Sequence, residues 1–127
     1  MPADITSHAF IAAYIGGILG LGLGMFAILR PHGAARLVGI TIDPALPHSI
    51  SEVRATYGGV FAGGHALALA TGHEMAFLAL ACGWAGAAVV RAASMVADQA
   101  VNGANLGGTA FEAVTAVLLA MPVLAAL

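Results

Sequence analysis

Sixteen consecutive uncharged residues, 75–90, run directly into Arg91. An arginine carried by so apolar a stretch points to a membrane setting, where an unpaired one costs roughly 2.5–3.5 kcal/mol at the bilayer centre even on lenient scales. Arg91 therefore needs a partner, and the choice is short: the other charged residues are Asp4, Arg30, Arg36, Asp43, Glu52, Arg54, Glu74, Asp98 and Glu112. Charged residues make up 8% of the chain, against about a quarter in globular proteins. With 61% hydrophobic residues and a mean hydropathy of +0.97, too few polar side chains remain to solvate an exterior. The outer surface is expected to face lipid, and the chain to form one membrane domain.

Composition also excludes several functions. Lysine is absent and the net charge is −2, which removes side-chain Schiff-base chemistry and any polybasic arm for nucleic acid. Cys82 stands alone, so it offers neither an intrachain disulfide nor a thiolate pair for zinc, and it reads as a small buried hydrophobe. Residues 10–29 have the apolar character of a signal peptide. Yet Asp4 precedes them, Arg30 and Arg36 follow, and the run exceeds the usual length of about 7–15 residues. They are expected to be a retained first span.

Four spans are expected, near residues 10–29, 53–71, 75–97 and 109–127, each close to the ~20 residues that cross about 30 Å of hydrocarbon. The fold class is all-α, an integral membrane four-helix up-down bundle. Thr71, Gly72, His73 and Glu74 form a tight hairpin link. The first link, 30–51, holds Pro31, Pro44 and Pro47 and a mildly apolar patch from Leu37 to Ile40 suited to the membrane interface. The third, from Gln99 to Gly108, is polar and glycine-rich. Arg30, Arg36 and Arg54 surround the first link and Arg91 lies toward the third. The positive-inside rule then puts both links on the cytoplasmic side of a bacterial inner membrane and both termini outside.

Helix length locates the charges. A ~20-residue fourth span reaching Leu127 begins near Gly108, which places Glu112 about one turn inside; counting from the hairpin brings Glu52, Arg54, Arg91 and Asp98 to the same leaflet. Arg91, Ser94 and Asp98 share a helical face, as do Glu112 and Thr115; Arg54, Tyr57, Gly58, Phe61 and His65 are expected to share another. The candidate binding set is Glu52, Arg54, Tyr57, Arg91, Ser94, Asp98 and Glu112. Such a set either forms a satisfied ion-pair network fixing helix register or surrounds a ligand.

Seventeen glycines are too many for loops alone. Gly16, Gly20 and Gly24 recur every fourth residue, as do Gly59 and Gly63, a spacing that lets helix backbones approach closely, within the chain or in a homo-oligomer or larger membrane complex. Of the five histidines, His65 lies deepest in a span. It is a weak candidate to bind a haem and fits better as a hydrogen-bonded core imidazole, so no cofactor is expected. No metal is expected either, since Arg54 and Arg91 already compensate the carboxylates. No nucleophilic triad is visible, and the Gly20-to-Gly24 alternation lies within a span, where it cannot be a phosphate loop.

Glu52, Arg54, Tyr57, Gly58 and Gly59 opening the second span, Arg91, Ser94 and Asp98 in the third, and Glu112 in the fourth resemble a bacterial family of small four-helix membrane proteins of unknown function, itself distantly similar to DoxX-like proteins. The likeness covers about residues 30–127, and the R-x-x-Y-G-G element is its most specific part. In that family a glycine often follows the aspartate, where this chain has Gln99. The resemblance implies a four-helix bundle with a shared polar site and no particular activity.

Three functions compete. The first is a structural or accessory bundle, its charged cluster holding the helices together, with room for a lipophilic small molecule. The second is an isomerase- or hydrolase-type enzyme on a lipophilic substrate, with Glu112 or Asp98 as acid–base, Tyr57 donating a hydrogen bond, and Arg54 and Arg91 orienting an oxygen. The third is a small transporter, disfavoured because only His65 and Thr71 extend polarity toward the opposite face.

Overall fold

The computed structural model describes residues 3–127, with side chains from Thr6 onward, so the Asp4 side chain that flanks the first span lies outside the described residues. The described chain is helical, without strands. Helix α1 covers Ala3–Leu29, α2 Pro31–Leu37 and α3 His48–Glu52; a π-helix follows at Val53–Val60, then α4 at Phe61–Thr71, α5 at Glu74–Ala97 and α6 at Gly103–Leu124. Three stretches are long and apolar enough to cross a membrane: Thr6–Leu29, Glu74–Ala97 and Gly103–Leu124.

The expected second span, 53–71, is helical throughout but not uniformly α. Backbone angles stay helical at Glu52, Val53 and Phe61, so α3, the π-helix and α4 continue one another. The α-helical part, α4, is 11 residues long, about 16 Å at 1.5 Å per residue and roughly half a hydrocarbon thickness. The other corrections concern ends. α1 begins at Ala3 rather than near residue 10. α6 begins at Gly103 and ends at Leu124, displaced from the expected 109–127. The reason for the early start is a cap: Asn102 has extended backbone angles, and its side chain accepts the Asn105 N–H at 3.0 Å, satisfying a donor that the first helical turn leaves orphaned. The polar, glycine-rich stretch after Asn102 is thus the first turn of a helix.

The chain divides into two compact units. The first joins α1 up to Gly16 with Gly72, α5 and α6; the second runs from Gly17 to Thr71. In the first, Phe77, Ala81, Trp84, Ala88 and Met95 are the buried residues of α5, and Arg91 continues their alternating four- and three-residue spacing. Glu112, Thr115, Leu119 and Pro122 are buried on α6, and Asn105 and Gly108 extend the same spacing toward its start. A three-four repeat is the seam along which paired helices interdigitate. Phe77 and Leu119 are fully buried; Tyr14 meets Phe77 edge-on at 5.4 Å and Trp84 meets Phe111 at 5.7 Å. Cys82 lies one residue off this seam and is exposed, against its expected burial.

The hairpin ends are closed with side chains and left-handed residues. His73 Nδ1 accepts the Met75 N–H at 3.2 Å at the start of α5. At its end Gln99 adopts φ +53, while the Ala100 N–H reaches Met95 O at 3.0 Å and the Gln99 N–H reaches Val96 O at 3.4 Å. These paired bonds form a Schellman closure, whose left-handed position is normally glycine. Gln99 holds this left-handed position at a conformational cost.

In the second unit, glycines set the distance between α1 and the helix beginning at His48. A Cβ on Gly24 would lie 2.5 Å from Ala62 N, one on Gly58 would lie 3.1 Å from Ile28 N, and one on Gly20 would overlap the His65 ring. Gly59 and Gly63, by contrast, face nearly open space. Ala27, Ala34, Ala35 and Val53 form a small core, with Ile42 packed on it. It ties the end of α1 to α2, to the link and to the first π-helical residue.

Candidate functional site

Arg91 lies six residues before the end of α5, and Glu112 nine residues into α6. Glu112 is therefore about 13 Å, or two and a half turns, from the start of α6. The two side chains meet in a fork: Arg91 Nε donates to Glu112 Oε1 at 3.1 Å and Oε2 at 3.0 Å, and Nη2 donates to Oε1 at 2.6 Å. Arg91 Nη1 also donates to Asn105 Oδ1 at 3.4 Å. The Glu112 side chain is 8% exposed and that of Arg91 32%. A planar guanidinium bound through two nitrogens adds geometric specificity to a charge-assisted contact that is stronger than one between neutral groups.

Two residues outside the expected set complete this arrangement. Asn105 holds the guanidinium with its oxygen while its Nδ2 donates to Ala100 O at 2.8 Å, so the α5–α6 connection and the ion pair share one side chain. Gly108 provides space: a Cβ there would sit 3.2 Å from Arg91 Nε and 3.3 Å from Cζ. The signal for both was present in the sequence as Asn105, Gly108, Glu112 and Thr115 at i, i+3, i+7 and i+10. It is legible only once α6 is known to start before them.

The other expected site residues are arranged separately. Ser94 Oγ donates to Asp98 Oδ2 at 2.6 Å, a contact one turn along α5 that occupies the aspartate where the helix ends. Glu52 and Arg54 belong to the second unit. There Arg54 Nε donates to Ile28 O at 3.2 Å, supplying a cation to the C-terminal turn of α1, which has no basic residue of its own. The expected common face of Arg54, Tyr57, Gly58, Phe61 and His65 is not observed. Burial passes instead through Val53, Gly58, Ala62, His65 and Ala68, while Arg54 and Tyr57 are exposed. The first step of that series spans five residues because a π-helix bonds i to i+5, shifting every position counted on α-helical spacing.

His65 is buried, with Nδ1 2.7 Å from Phe61 O and its ring stacked on Phe61 at 6.0 Å. A carbonyl only accepts, so Nδ1 carries the hydrogen. The ring fills the slot opposite Gly20, the behaviour of a core imidazole. Among the described residues, no group of three or more His, Cys, Asp or Glu gathers as metal ligands. Polar groups within the long helices bond back to their own backbone: Thr109 Oγ1 to Asn105 O at 2.9 Å and Thr115 Oγ1 to Phe111 O at 2.8 Å. Among the described residues no buried side-chain nitrogen or oxygen lacks a partner.

A second feature lies where α3 enters the π-helix. An open groove of about 360 Å³ is bordered by Ile40, Ile42, His48, Glu52, Val53 and Tyr57, among others. It combines the apolar Ile40, Ile42 and Val53 with the Glu52 carboxylate, the Tyr57 ring, the His48 imidazole and the hydroxyls of Thr41, Ser49 and Thr56, and so contains two of the expected site residues, Glu52 and Tyr57.

Among the described residues, the fold and these sites define a helical protein with three membrane-capable helices and one hydrogen-bonded ion pair, its acid buried, between two of them. No family model, curated protein or solved structure matches the chain.

Proposed function

We propose that this is a structural or accessory protein of a bacterial inner membrane, in which the Arg91–Glu112 pair fixes the register and orientation of the α5–α6 hairpin. The observation that carries the reading is the engagement of the pair: three hydrogen bonds join guanidinium and carboxylate, and Asn105 takes a further nitrogen. An acid–base catalyst must exchange protons with a substrate, whereas Glu112 is held by a permanent cation at low exposure. A polar pair on an otherwise apolar seam makes any slipped or inverted pairing costly, the best-attested use of buried ions.

The same reading takes the helix through residues 53–71 as a fourth membrane crossing, with both termini outside. Single cysteines in a Cys82→Ala background test it, with Val38→Cys, Met75→Cys and Val101→Cys probed in intact cells by an impermeant maleimide. All three positions are exposed. Labelling of Met75→Cys alone is the expected result. Labelling of Met75→Cys on the same side as Val38→Cys would show that 53–71 does not cross.

A further inference from the structure

The groove beside the π-helix has a composition that selects a ligand class. Its floor is already packed: Val53 is 4% exposed and belongs to the core formed with Ala27, Ala34 and Ala35, and Ile42 rests on that core. The walls therefore do not depend on a ligand to hold their shape. Glu52 contributes a carboxylate, Tyr57 an aromatic ring that is 39% exposed, and no arginine lines the groove. Arg54, on the same π-helix, is engaged with the Ile28 carbonyl. With His48 as the one basic side chain at its border and no arginine, the groove offers an anion little to offset the Glu52 carboxylate, whereas an ammonium group would meet that carboxylate and an aromatic ring.

Depth points to the same chemistry. The link carrying Ile40 and Ile42 follows α1 after only the seven-residue α2, and the apolar stretch of α1 ends at Leu29, so on the membrane reading the link lies near headgroup level. Exposed Leu37, Val38, Ile40 and Leu46 give that link an apolar surface suited to acyl chains. The π-helix adds a reason for the groove to exist. Wide turns are poorer helical geometry and recur at functional positions, and here the turn leaves Tyr57 exposed while Gly58 packs against Ile28.

We propose that this groove binds the ammonium group of an amphiphile, Glu52 pairing with the charge, Tyr57 covering it, and the alkyl tail lying over Ile40 and Ile42. The ammonium belongs either to a lipid headgroup or to a free amphiphilic amine. The site shares the membrane reading above but is independent of the role given to Arg91 and Glu112.

Native mass spectrometry of the whole protein released from a non-ionic detergent tests it, with separate titrations of phosphatidylethanolamine, phosphatidylglycerol and decyltrimethylammonium. Adducts of phosphatidylethanolamine in excess of phosphatidylglycerol are expected for a lipid source, and adducts of decyltrimethylammonium for a free amine. In either case Glu52→Gln weakens binding by about three- to fivefold, the range for an exposed ion pair near 1 kcal/mol, and Tyr57→Leu by about two- to fivefold. Both side chains are exposed, so both variants should melt as the wild type does. Equal uptake of phosphatidylglycerol, no ammonium adduct at all, or an unchanged titration for Glu52→Gln would each overturn the proposal.

Discussion

The α5–α6 hairpin and the segment from Gly17 to Thr71 solve the same packing problem in different ways. The hairpin uses α-helices, a three-four seam that mixes large side chains such as Phe77, Trp84 and Leu119 with Ala81 and Ala88, and one hydrogen-bonded ion pair. The other segment brings backbones close through Gly20, Gly24 and Gly58 and changes helix type between Val53 and Val60. Between lipid-solvated helices, packing and hydrogen bonds must provide the association that hydrophobic burial provides in water. The first region concentrates that association in one electrostatic contact; the second spreads it over many close atoms. The first should therefore fail abruptly when one residue changes, and the second by degrees.

Arg91→Leu is the sharpest way to break this contrast. It leaves the Glu112 carboxylate buried without its cation and should cost about 3 kcal/mol, the low end for a broken buried pair because Arg91 is itself a third exposed. The measurement is unfolding in mixed micelles. Arg91→Leu combined with Glu112→Leu should recover most of that loss; a double variant no more stable than the single one would mean that the pair does more than neutralise itself. Next in size, Gly24→Ala should cost about 1–3 kcal/mol, because its Cβ meets backbone that cannot rotate aside. Gln99→Gly should stabilise by about 0.5–1 kcal/mol by relieving the left-handed residue at the end of α5. Gly63→Ala faces open space and should stabilise by a similar or smaller amount through helix propensity, read as a rise in melting temperature. A loss at Gly63 equal to that at Gly24 would reveal a packed surface there and blur the distinction.

These regions were also unequally legible. The start and end of α5 follow from Gly72, from the cap at His73 and from the charge distribution, and the expected 75–97 differs from Glu74–Ala97 by one residue. The need of Arg91 for an acid was evident because an arginine in an apolar run has few alternatives, and Glu112 is that acid. The start of α6 was not evident: Gly103, Gly107 and Gly108 look like loop residues unless the Asn102 cap is weighed above them. Asn105 was missed with it. The π-helix was invisible in principle to a count based on 3.6 residues per turn, which is why Arg54 and Tyr57 were assigned to the wrong face. Cys82 shows the related limit for residues one step off a seam: apolar neighbours in sequence do not reveal which side a short side chain occupies.

The bonded partners Arg91 and Glu112 are separated by 21 positions in the chain, which has a consequence for biogenesis. The ribosome delivers the guanidinium first, and for the time needed to make those intervening residues nothing downstream can neutralise it. Helix α5 should therefore wait in the translocon, or at its lateral gate, until the acid of α6 emerges. On the membrane reading proposed above, the two helices would then enter lipid as a pair rather than one after the other.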